Sequence, residues 1–518
     1  MGMIDNQTTP SARPRAARLG LAAPSPDLLW ALLALTLIGA FIALVPTPPN
    51  DFWWHLKAGQ ITATQGIPTT NLFAWSLPAD HPYVYATWLG EWLFYALYTI
   101  GGLQAPVLAR NLLGLAGFTL VAFEARRRSG SWRLAAMATL LAGAMASNNL
   151  PTRTQNWSWV PFGLYMLIIG AYAAGQARPR VLLALPLLMA FWVNAHGAFV
   201  LGLALLGLTT AGETLRRLLR QPNALGWERL RWLYLALFGT FAATLVNPLG
   251  PGIFSYVIKL LTDPPSQGLI IEWQPPTTQG LAGFSFYISI LALLVVFTLN
   301  RRRPTLTDML LICAFLWLAW TGVRYVVWYG MIAMPMLVES LATLEPARPT
   351  AIARSRMPVP SLIISLALLG LLIAVQPAFK ARLSLPEPYQ ALFADVPGAP
   401  GLFGAETPVA AAEYLRANPI DGRMFNEMGY GSYFDWALYP TTQVFIDPRV
   451  ELYPLALWQD YLAIRDARDY NALLIDKYDV RRVVLDRVAL PRLAAALASD
   501  PRWEREYADT RAEIYRRK

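Results

Sequence analysis

From about residue 27 to residue 376 the chain repeats apolar runs of membrane length, and this pattern constrains the fold more than any other feature. A bilayer core takes about 20 apolar residues per span, and a helix satisfies every backbone polar group while it crosses. Runs at roughly 27–46, 105–125, 132–149, 156–174, 180–194, 197–214, 230–247, 282–300, 306–321, 324–341 and 359–377 meet or approach that length. They predict a polytopic α-helical membrane protein of about 11 transmembrane helices. Residues 377–518 lose the pattern and read as a soluble domain. Only 15% of the 518 residues are charged, against roughly 25% in soluble chains, and the deficit falls on the apolar part.

One apolar run does not fit a span. Trp88 to Gly101 is short and carries Glu91, which suits an interfacial or re-entrant helix. Loop charge tests this choice, because basic residues gather on the cytoplasmic side. With 88–101 left out of the count, one side holds Arg13, Arg15, Arg18, Arg126 to Arg128, Arg133, Arg178 and Arg180. The same side holds Arg216, Arg217, Arg220, Arg229, Arg231, Arg301 to Arg303, Arg348, Arg354 and Arg356. The other side, up to residue 376, holds only Lys57, Arg110, Arg153, Lys259 and Arg324. Counting 88–101 as a span destroys the separation. The expected layout is a cytoplasmic basic N-terminus (1–26), a transmembrane domain (27–376) with a first outer loop (47–104), and an extracytoplasmic domain (377–518). It places the protein in the plasma membrane.

The net charge of +10 therefore reads as topology, not as a nucleic-acid footprint. The single cysteine, Cys313, lies in an apolar run and offers no disulfide or thiol chemistry. The N-terminus has the basic start of a signal peptide, but no small-residue cleavage site follows the apolar stretch, so it reads as an uncleaved first helix.

In the last part, Thr407 to Ala417 reads as a helix, Arg423 to Asn426 and Thr442 to Ile446 as strands, and Trp458 to Tyr478 as helical. A strand at Arg482 to Leu485 and a helix from Pro491 complete an α/β alternation. Acids near Phe445-Ile446-Asp447-Pro448-Arg449 read as turn and salt-bridge residues, so this domain is expected to hold no catalytic group.

Sorted by side, the unusual polar residues fall on the outer face. They are Asp51 and His55 in Asn50-Asp51-Phe52-Trp53-Trp54-His55-Leu56, Glu91 in Glu91-Trp92, Arg110, Arg153 and Gln155. Asn194, His196, Asn247, Glu272, Trp273 and Arg324 complete the set. Each has a bland alternative. Asp51 reads also as a solvated cap, Trp53, Trp54, Trp88 and Trp92 as an interfacial aromatic belt, and Arg153 and Arg324 as snorkelling cations. Glu91 resists that treatment, since a carboxylate in an apolar helix is costly and faces a partner or a cavity. Together, carboxylates and arginines at one membrane depth suit a substrate with an anionic headgroup and a lipid tail. A divalent ion at Asp51 is a further possibility that the residue types leave open.

These residues resemble the GT-C superfamily of integral membrane glycosyltransferases, which use lipid-linked sugar donors. The first helix, the acidic Asp51 opening the first outer loop, the interfacial segments 55–65 and 88–101, and Arg110 near the outer end of the next helix carry the likeness. It extends to the protein O-mannosyltransferases and the aminoarabinose transferases of lipid A. A closer match is a poorly characterised bacterial group with Asp-x-Trp-Trp-His-Leu, Glu-Trp-Leu, Arg-x-Gln, Asn-x-His-Gly, Asn-Pro-x-Gly and Glu-Trp motifs, all six present between residues 51 and 273. A second acid directly beside Asp51 is missing, since Phe52 follows it.

The resemblance implies glycosyl transfer from a polyprenyl-phosphate sugar to an envelope glycan, lipid or protein. Asp51 would be the base and Glu91 and His55 its support. Arg110, Arg153 and Arg324 would contact the phosphate, and Gln155, Asn194, His196, Glu272 and Trp273 would line the substrate. The rival is a transporter or scaffold with a partner-binding outer domain, for which deep ionisable residues or symmetric broken helices are the expected marks.

Overall fold

The computed structural model describes residues 25–344 and 358–518, apart from 381, 384, 385, 395, 397, 398, 400 and 420. Arg13, Arg15 and Arg18, like Arg348, Arg354 and Arg356, lie outside the described residues.

Each apolar run forms a helix. In chain order with the loop helices between them, they are α1 (Pro26–Leu44), α2 (Phe52–Gln65), α3 (Trp88–Gly101), α4 (Gln104–Ser129) and α5 (Trp132–Met145). There follow α6 (Trp159–Ala173), α7 (Ala184–Ala195), α8 (Phe199–Leu218), α9 (Trp227–Ala243) and α10 (Gly252–Leu261). The bundle closes with α11 (Pro264–Leu269), α12 (Gly280–Leu299), α13 (Leu306–Thr321), α14 (Val326–Leu344) and α15 (Pro358–Ala374). Among the described residues, 5 helices are long and apolar enough to cross a membrane: α1, α4, α8, α12 and the Val323–Leu344 segment. The axis of the bundle is α14, buried from Val326 to Val338 and packed on α4, α5, α12 and α13.

The two ends of the bundle differ. At one end charged side chains tie helices together: Arg128 of α4 donates to Asp308 of α13 at 3.1 Å and to Glu339 of α14 at 2.7 Å. Nearby, Thr307 of α13 donates to Glu213 of α8 at 2.7 Å. The loops 48–51, 151–155, 196–198 and 323–325 meet at the other end, beneath the C-terminal domain.

Over that end lies the first loop. α2 starts directly after Asp51 and α3 packs across it. Gly59 makes the close approach possible, because a Cβ there would sit 2.2 Å from the Glu91 carbonyl oxygen. The helix at 88–101 has the expected limits. Trp53 and Trp54 are not an exposed belt: both are buried, and Trp53 stacks on Phe403 of the C-terminal domain with ring centroids 5.1 Å apart.

The C-terminal domain carries a four-stranded sheet of order β1-β2-β4-β3, with β1 Arg423–Asn426, β2 Val480–Asp486, β3 Trp503–Ala508 and β4 Ala512–Arg517. β1 pairs parallel with β2, and β2 and β3 pair antiparallel with β4. The hairpin of β3 and β4 is absent from the sequence reading. Residues 442–446 are not a strand of this sheet: the Val444 N–H donates to Phe73 O at 2.9 Å and Val444 O accepts from Trp75 N–H at 3.0 Å. Thr47 pairs likewise with Leu402 and Gly404. Loop and domain thus share one hydrophobic core, separate from that of the bundle.

Candidate functional site

A cavity of about 510 Å³ opens where the loop-bearing end of the bundle meets the first loop and the C-terminal domain. Asp51, His55, Glu91, Arg153, Gln155, His196, Glu272, Trp273 and Arg324 all line it.

Asp51 stands at the N-cap of α2 yet makes no capping hydrogen bond, and its own backbone is helical. Its nearest cation is Arg153, whose Nη1 lies 4.0 Å away. Burial pushes the Asp51 carboxyl above its ordinary range, against the opposing pull of His55, Arg153 and Arg324. A capping aspartate would accept a backbone N–H of the first turn, which Asp51 does not.

His55 does not turn to Asp51. One turn into α2 its Nδ1 lies 2.9 Å from Glu91 Oε1, which also accepts from the Thr87 hydroxyl at 2.7 Å. The other nitrogen, Nε2, is 3.3 Å from the Thr154 hydroxyl. Glu91 is fully buried, and its Oε2 has no hydrogen-bond partner among the described residues. The carboxylate of α3 therefore fixes the imidazole, and its place in an apolar helix has this cause.

Arg153 is gripped from one side only. Its Nη1 donates to both oxygens of Glu272 at 2.7 and 2.8 Å, while the buried Nε and Nη2 have no hydrogen-bond partner among the described residues. Burial raises the Glu272 carboxyl, but Arg153 and Arg324 outweigh it and hold it below the ordinary range. The Arg324 guanidinium makes no hydrogen bond or ion pair with any described residue and lies 4.4 Å over the Trp273 ring. Stacking of this kind orients the planar cation and leaves its edge donors free.

His196 sits where α7 gives way to α8. Its Nδ1 accepts from the Ala198 N–H at 3.1 Å and faces the Ser158 hydroxyl at 2.9 Å, so the ring proton belongs on Nε2. Burial and the two arginines keep the ring neutral, well below the ordinary histidine range. It offers the cavity a neutral N–H donor. Gln155, which lines the same cavity, is buried and its Oε1 has no hydrogen-bond partner among the described residues.

Two expected residues do not reach the cavity. Arg110 is buried away from the cavity and donates to the carbonyls of Val45 and Ile42, each at 3.0 Å, and to Asn111 Oδ1 at 2.9 and 3.0 Å, so its guanidinium is largely spent inside the protein. Asn194 accepts from Trp88 Nε1 at 2.8 Å and donates to the Ala190 and Val246 carbonyls, closing the α7 end.

Residues outside the expected site line the same wall. Tyr83, Tyr85, Tyr256, Arg449 and Glu451 border the cavity, two of them from the C-terminal domain. Arg449 is locked to the buried Asp447 at 2.6 Å and lies 5.0 Å over the Tyr83 ring. The salt-bridge reading of Asp447 matches this geometry. No signal marked Glu451, which sits in the short helical turn Val450–Leu452.

No group of three His, Cys, Asp or Glu side chains is gathered for a metal among the described residues. The other carboxylate facing Arg153, Glu272, is already neutralised by it.

No family model and no curated protein matches the chain. The solved structure of ArnT from Cupriavidus metallidurans bound to undecaprenyl phosphate matches with a TM-score of 0.51 at 16% identity, over 93% of this chain and 97% of that one. The arabinofuranosyltransferase AftD from Mycobacteria matches with a TM-score of 0.50 at 14% identity, over 96% of this chain but 42% of its own length. The chain shares the fold of these two solved structures.

Proposed function

We propose that the protein is a membrane glycosyltransferase that moves a sugar from a polyprenyl-phosphate carrier to an acceptor hydroxyl on the outer membrane face. The observation that carries this reading is a carboxylate without a capping bond beside two arginines with free N–H donors, in one cavity. A phosphate between Arg153 and Arg324 would satisfy those donors with charge-assisted hydrogen bonds. The apolar side of the cavity, Val200, Leu201, Val257, Leu261, Leu269 and Ile270, offers a lipid tail a path beside them. The undecaprenyl phosphate bound to ArnT, which shares the fold, supports the donor class.

The chemistry follows from the placement. Asp51 takes the acceptor's hydroxyl proton as that oxygen attacks the anomeric carbon. The anomeric carbon–oxygen bond to phosphate breaks with inversion, and the polyprenyl phosphate leaves with its new charge held by Arg153 and Arg324. His55, held by Glu91, and the neutral His196 N–H stand beside the reacting groups. In the bilayer, eleven helices would span, α2 and α3 would lie at the outer face, the N-terminus would be cytoplasmic and residues 377–518 outside. The arginine-bearing bundle end opposite the cavity supports that orientation.

Mass spectrometry of envelope glycans and glycolipids from a deletion strain, with and without complementation, tests the reading. Loss of one glycan modification that the intact gene restores supports it. An unchanged envelope refutes it.

A further inference from the structure

A second cavity, of about 280 Å³, adjoins the first. Its walls are His81 to Val84 of the first loop, one face of α10, and Glu451 with Leu452 of the C-terminal domain. The two cavities share Tyr83, Val84, Tyr256, Leu260 and Glu451. Tyr83 donates its hydroxyl to Glu451 at 3.0 Å, so this pair stands at the junction, within electrostatic range of Asp51.

α10 divides the two spaces by helical periodicity. Gly252, Ser255, Tyr256, Lys259 and Leu260 line the second cavity, the positions that three- and four-residue steps bring to one helix face. Tyr256, Val257, Leu260 and Leu261 face the first. Ser255 and Lys259 line only the second cavity and Val257 and Leu261 only the first, so the helix turns its unshared polar side chains to one space and its unshared aliphatic ones to the other.

We propose that the second cavity is the acceptor port and that the acceptor it admits is an uncharged carbohydrate. The proposal rests on the reading of the main cavity as the lipid-donor site. Lys259 and Glu451 balance in charge, which disfavours a polyanion or a polycation. Tyr256 offers an apolar ring for a sugar to pack on, and Glu451, His81 and Ser255 offer partners for its hydroxyls. The volume lies at the lower edge of ligand cavities, which begin near about 300 Å³, and suits a small ring at a chain end. From there a terminal hydroxyl passes the Tyr83–Glu451 pair to reach Asp51.

The test uses the full-length protein in nanodiscs with three probes: the disaccharides mannobiose, maltose and galactobiose, a Ser/Thr-rich octapeptide, and undecaprenyl phosphate. Saturation-transfer NMR reads the soluble probes and native mass spectrometry reads the lipid. At least one disaccharide is expected to bind the wild type, and Ser255→Trp, on an exposed position, is expected to weaken it about tenfold or more by filling the port. Glu451→Gln, which keeps the shape, is expected to weaken it about tenfold through one lost charged hydrogen bond. Lipid binding should be unchanged in Ser255→Trp, which lines the second cavity and not the first. No disaccharide binding to the wild type, binding that survives both variants, or a peptide signal blocked in their place would overturn the proposal. Failure of the wild type to bind the lipid would instead overturn the donor reading, because the two probes are read separately.

Discussion

Replacing Arg324 with alanine removes the one cation in the main cavity that spends no hydrogen bond on the described protein. A hydrogen bond to a charged partner contributes about 1.5–3 kcal/mol. At about 1.4 kcal/mol per tenfold, losing one such bond to the donor phosphate weakens binding roughly 10- to 100-fold. Stability should change little. The side chain is only half buried, and its stacking on Trp273 and Tyr325 contributes about 0.5–1 kcal/mol at such a site. Arg324→Lys keeps the charge and loses the planar stack, so it should fall between alanine and wild type. Undecaprenyl phosphate titrated into nanodisc-embedded protein, followed by native mass spectrometry, gives the affinity, and a thermal melt checks the fold. Wild-type affinity in a well-folded Arg324→Ala protein would refute the phosphate assignment.

Other perturbations separate positioning from chemistry. Glu91→Gln keeps an acceptor for His55 but exchanges a charged hydrogen bond for a neutral one, at a cost of about 1–2 kcal/mol; transfer assays should show a ~5- to 30-fold lower rate with the lipid affinity intact. Gly59→Ala forces a methyl against the Glu91 carbonyl, and the overpacking should cost about 1–3 kcal/mol, read as a lower melting temperature together with reduced transfer. Because burial raises the Asp51 carboxyl and the base must be ionised, transfer should fall on acidification at a pH above the usual aspartate range. A pH–rate profile checks this, and an acid limb within the ordinary carboxylate range would contradict it.

The helical runs of the bundle and the sorting of polar residues by bundle end were legible because apolar length and loop charge are local signals, while the run read as helical from Trp458 to Tyr478 is divided into Leu455–Arg465 and Ala472–Lys477. Partners in space were not. Asp51 and His55 are four residues apart on a helix start, yet the imidazole turns to Glu91, 36 residues away, because Gly59 lets α3 press onto α2. Arg110 and Asn194 sit at helix ends just as Arg153 and His196 do, and nothing in the sequence distinguishes a side chain spent on carbonyls from one that faces a cavity. Residues 442–446 have strand character but pair with Phe73 to Trp75 of the first loop. Only the docked C-terminal domain reveals that pairing, and with it Glu451 at the cavity wall.

The central claim is that Asp51 removes the acceptor's proton, and Asp51→Asn tests it most directly. The substitution is nearly isosteric and removes one carboxylate that caps nothing. Burial holds the Asp51 carboxyl above its unfolded value, so the ionised form burdens the fold as pH rises through the folded value. The asparagine protein should therefore melt at or above the wild-type temperature at neutral pH. Transfer from an undecaprenyl-phosphate sugar, measured with saturating donor, is expected to drop about 10²- to 10⁴-fold, with lipid binding retained. Wild-type transfer by Asp51→Asn would contradict the claim, and if Glu91→Gln abolished transfer instead, the base would be Glu91.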